Sequence, residues 1–208
     1  MYRIAYLILA LLALTACNND EVPQPPLRQE LADLLTNSQG QATSMTLDNG
    51  KTLTLINRID GLTPDTMLRV MAVFLPEHKG ARITAYTPVE VKYLIPPAET
   101  ELPTDPVELT ACWKGKDYLN LRLKLKGHQH ELHALGFEQT NTTHHPNGSQ
   151  TLQIRLLHNQ NNDSLWYTQP TILSLPLKPL YNQLKNGRDS LQIKVNTFKG
   201  TAVYCFAL

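Results

Sequence analysis

Eight consecutive residues, Leu119-Asn120-Leu121-Arg122-Leu123-Lys124-Leu125-Lys126, carry leucine at every odd position and a polar side chain at every even one. In a helix this spacing would scatter the leucines around the cylinder. In a strand successive side chains point to opposite faces, so a period of two puts the leucines on a dry face and the polar groups on a wet one. Leu152, Ile154 and Leu156 repeat the pattern, as do Leu191, Ile193 and Val195. Strand candidates recur at 107–114, 118–126, 131–138, 151–158, 164–168, 171–175, 190–198 and 201–207, separated by turn residues such as Pro146-Asn147-Gly148 and Lys199-Gly200. Short strands at this density predict an antiparallel β-sandwich over residues 107–208, with one helical turn at 179–185.

Upstream, Met45, Leu47, Leu53 and Leu55 alternate with Ser44, Thr46, Thr52 and Thr54 around Asp48-Asn49-Gly50, a hairpin signal. Residues 67–75 and 82–86 supply further strands, and 88–95 another, with Val89, Val91 and Tyr93 on one face. Five strands without a long helix predict an OB-like small barrel over residues 37–95. Residues 96–106 hold Pro96, Pro97, Pro103 and Pro106 and read as a stiff linker. The fold class expected is therefore all-β, a small barrel followed by a sandwich.

The chain opens with Met1-Tyr2-Arg3, an apolar run from Ile4 to Leu14, and Thr15-Ala16 before Cys17. One early cation, a short apolar stretch and small residues at its end read as a secretory signal over residues 1–16. As a helix the run would span about 16 Å, too short for a hydrocarbon core of ~30 Å. Leu14-Thr15-Ala16-Cys17 resembles the bacterial lipobox, whose Cys is acylated and becomes the first residue of the mature chain. Each buried CH₂ contributes about 0.8 kcal/mol, so Cys17 is expected to tie the protein to membrane lipid. The location expected is the outer membrane, facing the periplasm or the cell surface. Residues 17–36 read as a tether, with acidic Asp20-Glu21, a Pro-rich spacer and a short helix over 27–35.

Charge argues against nucleic acid as a partner: Lys+Arg is 19 and Asp+Glu is 18 over 208 residues. The neutrality hides a split. Residues 17–106 hold 7 Lys/Arg against 12 Asp/Glu, net −5, while 107–208 hold 11 against 6, net +5, as two modules would give.

No Gly-x-Ser-x-Gly, P-loop or Cys-x-x-Cys is present, and no catalytic residue is assigned. His130-Glu131-Leu132-His133 superficially resembles a zinc-protease motif. Its histidines are three apart on an expected strand, hence on opposite faces, whereas the motif needs them four apart on a helix. His128 and His130, with His144 and His145 in a hairpin loop, suit either a surface metal site or simple solvent-facing polarity, and no metal or other cofactor is expected. Lys114, Arg122, Lys124 and Lys126 form a cationic stripe that suits an anionic glycan or a protein partner, or merely keeps a wet face soluble. Trp166 and Tyr167 suit stacking on a sugar, or packing at a strand edge. Cys112 and Cys205 either form a disulfide closing about 93 residues or pack as two separate thiols. Asp65-Thr66-Met67, Asp163-Ser164-Leu165 and Asp189-Ser190-Leu191 resemble a Bacteroidetes O-glycosylation sequon, with Thr66, Ser164 and Ser190 as acceptors.

In order along the chain, the lipobox, Leu47-Asp48-Asn49-Gly50-Lys51, Val89-Glu90-Val91-Lys92-Tyr93-Leu94-Ile95, Asp105-Pro106-Val107, Trp113-Lys114-Gly115-Lys116-Asp117-Tyr118-Leu119-Asn120-Leu121, and Asp189-Ser190-Leu191 leading to Phe198-Lys199-Gly200 resemble the NigD-like lipoproteins of Bacteroidetes over residues 36–207. The resemblance implies an N-terminal OB-like domain and a C-terminal β-sandwich. The family takes its name from a bacteriocin operon, which implies immunity by genetic neighbourhood and brings no catalytic residues. The function expected is that of a non-enzymatic, membrane-anchored envelope lipoprotein binding an envelope protein or a bacteriocin; the alternative is a surface glycan-binding accessory.

Overall fold

The computed structural model describes residues 26–128 and 133–208. Cys17 and the rest of the leader, and His130-Glu131-Leu132 of the histidine motif, lie outside them. The first sheet contains β1 (Arg28–Thr36), β2 (Ala42–Leu47), β3 (Thr52–Thr54), β4 (Met67–Glu77) and β5 (Gly80–Pro88), in the order β3-β2-β1-β4-β5. A parallel bridge between Leu55 and Ala81 brings its two ends together, which rolls the sheet into a small OB-like barrel. Ala32, Leu34, Met45, Val70, Ala72 and Phe74 fill it.

Residues 27–35 are not a helix. Leu27, Leu31 and Leu34 have helical spacing, yet Arg28–Thr36 is the central strand of the barrel, paired with β2 on one side and β4 on the other. Two neighbours satisfy its backbone along most of its length, and both its faces are covered. Ala32 and Leu34 enter the barrel core, while Leu31 and Asp33 on the opposite face are also buried. The barrel thus begins at Arg28, not at residue 37.

The rest of the described chain forms β6 (Glu90–Val91), β7 (Leu94–Ile95), β8 (Glu108–Lys114), β9 (Tyr118–Gly127), β10 (Ala134–His144), β11 (Gln150–Asn159), β12 (Tyr167–Pro176), β13 (Ser190–Thr197) and β14 (Gly200–Ala207), with a 3-10 turn at Lys178–Asn182. Two sheets result, β6-β12-β9-β8 and β14-β13-β11-β10-β7. Leu121, Leu123 and Leu125 from β9 meet Phe137, Leu152, Ile154, Leu191 and Ile193 from the facing sheet, all nearly inaccessible. The alternation of β9 is thereby explained. Of the candidate at 164–168 only Tyr167 and Thr168 are strand, and they join 171–175 in the single strand β12, while 164–166 lie before it.

Two further expectations change. The sandwich is mixed rather than antiparallel: β13 runs parallel to β11, β7 to β10 and β6 to β12. Residues 90–95, read as the last barrel strand, supply β6 and β7, whose ladder partners lie in the sandwich. The Pro-rich stretch after them is laid along the sandwich rather than left as a free spacer. His158 N–H donates to Pro103 O at 3.1 Å, Asp105 N–H to His158 O at 2.8 Å, and Ala98 N–H to Glu138 Oε1 at 2.8 Å.

Candidate partner-binding groove

From Met67 to Leu75 strand β4 is apolar except for Arg69, and that one charge organises the seam between the modules. Arg69 and Asp33 are direct cross-strand partners on the outer face of the barrel. The Arg69 guanidinium is 3.3 Å from Asp33 Oδ1, 2.5 Å from Asp48 Oδ1 and 3.1 Å from Asn120 Oδ1. Asn120 Nδ2 donates to Asp48 Oδ2 at 2.8 Å, and Ser174 Oγ to Asn120 Oδ1 at 2.8 Å. The Tyr118 ring lies beneath the guanidinium, 4.0 Å from its central carbon. Asp33, Asp48 and Arg69 come from the barrel; Tyr118, Asn120 and Ser174 come from the sandwich.

Asn120 and Ser174 are fully buried and Arg69 is 4% exposed. Such groups are tolerable inside a protein only when their donors and acceptors are matched, as these are. Burial raises the Asp33 pKa against the opposing pull of Arg69. Burial, followed by the Asp33 charge, pushes the Tyr118 phenol up to about 12. The seam is therefore a fixed joint with a charged, hydrogen-bonded centre.

Beside this joint the two curved modules leave a groove. One hollow of about 370 Å³ is walled by Met71, Pro88 and Val89 from the barrel side and by Arg122, Pro170 and Ile172 from the sandwich. A second, of about 230 Å³, includes Glu30, Asp48 and Trp113 and shares Met71 and Arg122 with the first. Arg122 is exposed, and its guanidinium stands 5.7 Å from the centre of the Trp113 ring. A mostly apolar cleft at a module boundary, with a few polar groups converging on it, is a common form of binding site.

Other residues singled out in the sequence are dispersed. Of the cationic stripe, only Arg122 lines this groove. Lys124 pairs with Glu108 at 2.7 Å, Lys126 lies 4.7 Å from the centre of the Phe198 ring, and Lys114 is half-buried at the end of β8. Trp166 and Tyr167 stand at the other end of β12 from the seam, 74% and 60% exposed, both in ring contact with His128. His144 and His145 lie at the opposite end of β10 from His133, eleven or more residues and about 36 Å along a strand, so they do not gather with it. Cys112 on β8 and Cys205 on β14 belong to different sheets and are both free, so the disulfide alternative is set aside. Thr66 and Ser164 are half-exposed beside turns. Ser190 bonds the Thr151 hydroxyl at 2.7 Å between two neighbouring strands.

Below the Trp166–Tyr167 tip the sandwich ends in a polar layer. His133 and His158 stack with 2.8 Å between Nδ1 and Nε2. His158 Nδ1 donates to the Asp105 carbonyl at 3.0 Å, which leaves its Nε2 to accept from His133. His133 Nε2 is 3.4 Å from Asp163 Oδ2, within ion-pair range but not aligned as a hydrogen bond. Burial lowers the His158 pKa.

Sequence reasoning missed Arg69, Asp33, Asn120 and Ser174. The available signal was a single charge within the nine-residue apolar stretch 67–75, which a strand buries only with a partner.

Barrel, sandwich and rigid seam define a class: two-module all-β proteins with an OB-like barrel docked on a mixed sandwich. The family model for the NigD-like C-terminal beta sandwich domain matches residues 90–208, beginning where β6 begins, and the chain belongs to the NigD-like family. Solved structures share the fold across both modules. A NigD-like immunity protein from Bacteroides caccae superposes with a TM-score of 0.68 at 23% identity, covering 88% of this chain and 98% of that one. A protein of unknown function from Bacteroides vulgatus gives 0.67 at 20% identity, covering 88% and 91%. A candidate lipoprotein from Bacteroides fragilis gives 0.63 at 10% identity, covering 88% and 97%. Among curated proteins none matches.

Proposed function

We propose that this chain is a non-enzymatic envelope lipoprotein, acylated at Cys17 and held at the outer membrane, that binds a protein partner in the manner of an immunity protein. The observation that carries the reading is its membership of the NigD-like family together with a groove built from both modules around Met71 and Arg122. The apolar walls suit an extended or hairpin segment of a partner, and Arg122 suits an acidic side chain or a carbonyl on it. Bacteriocin immunity is the specific activity proposed.

The test is a pull-down from intact envelope with the full chain and its Arg122→Glu variant. A partner recovered with the parent and lost with the variant supports the reading; a partner retained equally by both removes the groove. Deletion of the gene is expected to sensitise cells to a neighbouring strain's bacteriocin. Cys17→Ala is expected to abolish palmitate labelling and release the protein from the membrane fraction.

Exposure of Trp166 and Tyr167 beside His128 favours a second reading, a surface glycan-binding accessory using that aromatic tip. A glycan array with no bound sugar excludes it. Ser164, in the turn next to the tip, is the O-glycosylation acceptor we propose; a mass increment on its peptide tests it.

A further inference from the structure

Four sandwich strands, β8, β10, β12 and β14, leave most of one edge uncovered among the described residues, because β6 and β7 each shield only two positions of their neighbours. Exposed edges invite pairing with other chains, and proteins guard them with charges, prolines and bulges. β8 has a bulge between Leu109 and Ala111 and carries Glu108 and Lys114. β10 has a bulge between Gln139 and Asn141 and carries Glu138. β12 contains Pro170. β14, Gly-Thr-Ala-Val-Tyr-Cys-Phe-Ala, has no charge, no proline and an unbroken register against β13 over all eight residues. Val203 is 51% and Tyr204 38% exposed.

The register also fixes which backbone groups are open. The two-residue turn Phe198-Lys199 closes on the Thr197–Gly200 pair, and pairs along an antiparallel ladder alternate in hydrogen bonding. Ala202, Tyr204 and Phe206 therefore bond back to β13. Thr201, Val203, Cys205 and Ala207 turn their N–H and C=O groups outward.

We propose that β14 pairs antiparallel with the β14 of a second copy of this chain, about a two-fold axis through Tyr204, joining the two five-stranded sheets into one. An isologous contact sets a strand against its own image, so any charge would face a copy of itself nearby; β14 has none to repel. The register centred on Tyr204 sets Val203 opposite Cys205 and Thr201 opposite Ala207, so every outward backbone group finds a partner, in roughly eight bonds. Shifting the axis to Val203 or Cys205 leaves some of them unpaired. The same register sets small Ala202 opposite bulky Phe206 on the face that continues the sandwich interior, a volume match that the strand carries within itself. This inference does not depend on the partner groove.

The full chain carrying Cys112→Ser and Val203→Cys, oxidised with copper phenanthroline, tests it on a non-reducing gel. A covalent dimer is expected as the major band, with at least a tenfold loss when Cys205→Ser is added, because residue 203 faces residue 205 of the other copy and not its own image. Absence of the band, or a band that survives Cys205→Ser, overturns the proposal; the first outcome would leave the edge to an extended strand of another protein. Val203 is half-exposed, so the substitution leaves the fold intact, which circular dichroism verifies.

Discussion

The Arg69 guanidinium of the barrel lies over the Tyr118 ring of the sandwich, its central carbon 4.0 Å from the ring centre. Stacking, the carboxylates of Asp33 and Asp48, and the Asn120 and Ser174 side chains use the guanidinium on its plane and at its rim. Truncating one member of such a network strands the others in a dry site. Arg69→Met is expected to cost about 3–5 kcal/mol, read as a lowered midpoint in urea unfolding, with a second transition if the modules uncouple. Unfolding indistinguishable from the parent would show that the seam is not organised by this residue.

His158 supplies a pH dependence whose sign follows from its burial. Unfolded, the imidazole titrates near its ordinary value of 6.5; in the fold, burial lowers that value. The unfolded chain takes up the proton first, so this contribution to stability is fully present above about pH 6.5 and is lost as pH falls through the folded value. The melting temperature is expected to fall from pH 7 to pH 5, and the His158 ring proton followed by NMR is expected to titrate below 6.5. A midpoint at or above 6.5 contradicts the geometry.

The two thiols are expected to react differently. Cys205 is exposed on β14, while burial pushes the Cys112 pKa up to about 12. Since the thiolate is the nucleophile, iodoacetamide at pH 8 should label Cys205 in the native protein and reach Cys112 only after denaturation. Peptide mapping that finds Cys112 labelled first, or both refractory until reduction, would contradict this arrangement.

Gly127 marks the end of the β9 core face, where the backbone passes directly over the polar layer. A Cβ there would stand 2.3 Å from His133 Nε2 and 2.4 Å from Asp163 Oδ2. Gly127→Ala is expected to destabilise by about 1–3 kcal/mol and to shift the His133 and His158 ring signals in NMR spectra. An unchanged melting temperature would mean that the layer yields more easily than its packing implies.

The even positions of β9 show where sequence reading stops. The alternation through residues 119–126 is legible because a pleated strand has only two faces, and the leucines choose the dry one. It says nothing about what later covers the other face. Asn120 is fully buried under Arg69, Arg122 lines a groove, and Lys124 and Lys126 are taken up by Glu108 and Phe198. A stripe that looks uniform along the chain is thus divided by neighbours distant in sequence. The helix expected over residues 27–35 gives way for the same kind of reason: Leu27, Leu31 and Leu34 fit one helical stripe, and only two flanking strands with cover on both faces make a strand the better solution.

Local periodicity, turn chemistry and the order of short motifs determined the all-β class, two modules joined through the Pro-rich residues 96–106, and the NigD-like resemblance, because each rests on contacts within a few residues. Tertiary structure alone decided that the barrel starts at Arg28, that residues 90–95 belong to the sandwich, and that Arg69 joins the modules. Those outcomes turn on which faces meet. A buried charge is stable only where partners from both modules converge on it, and a linear pattern does not encode that convergence.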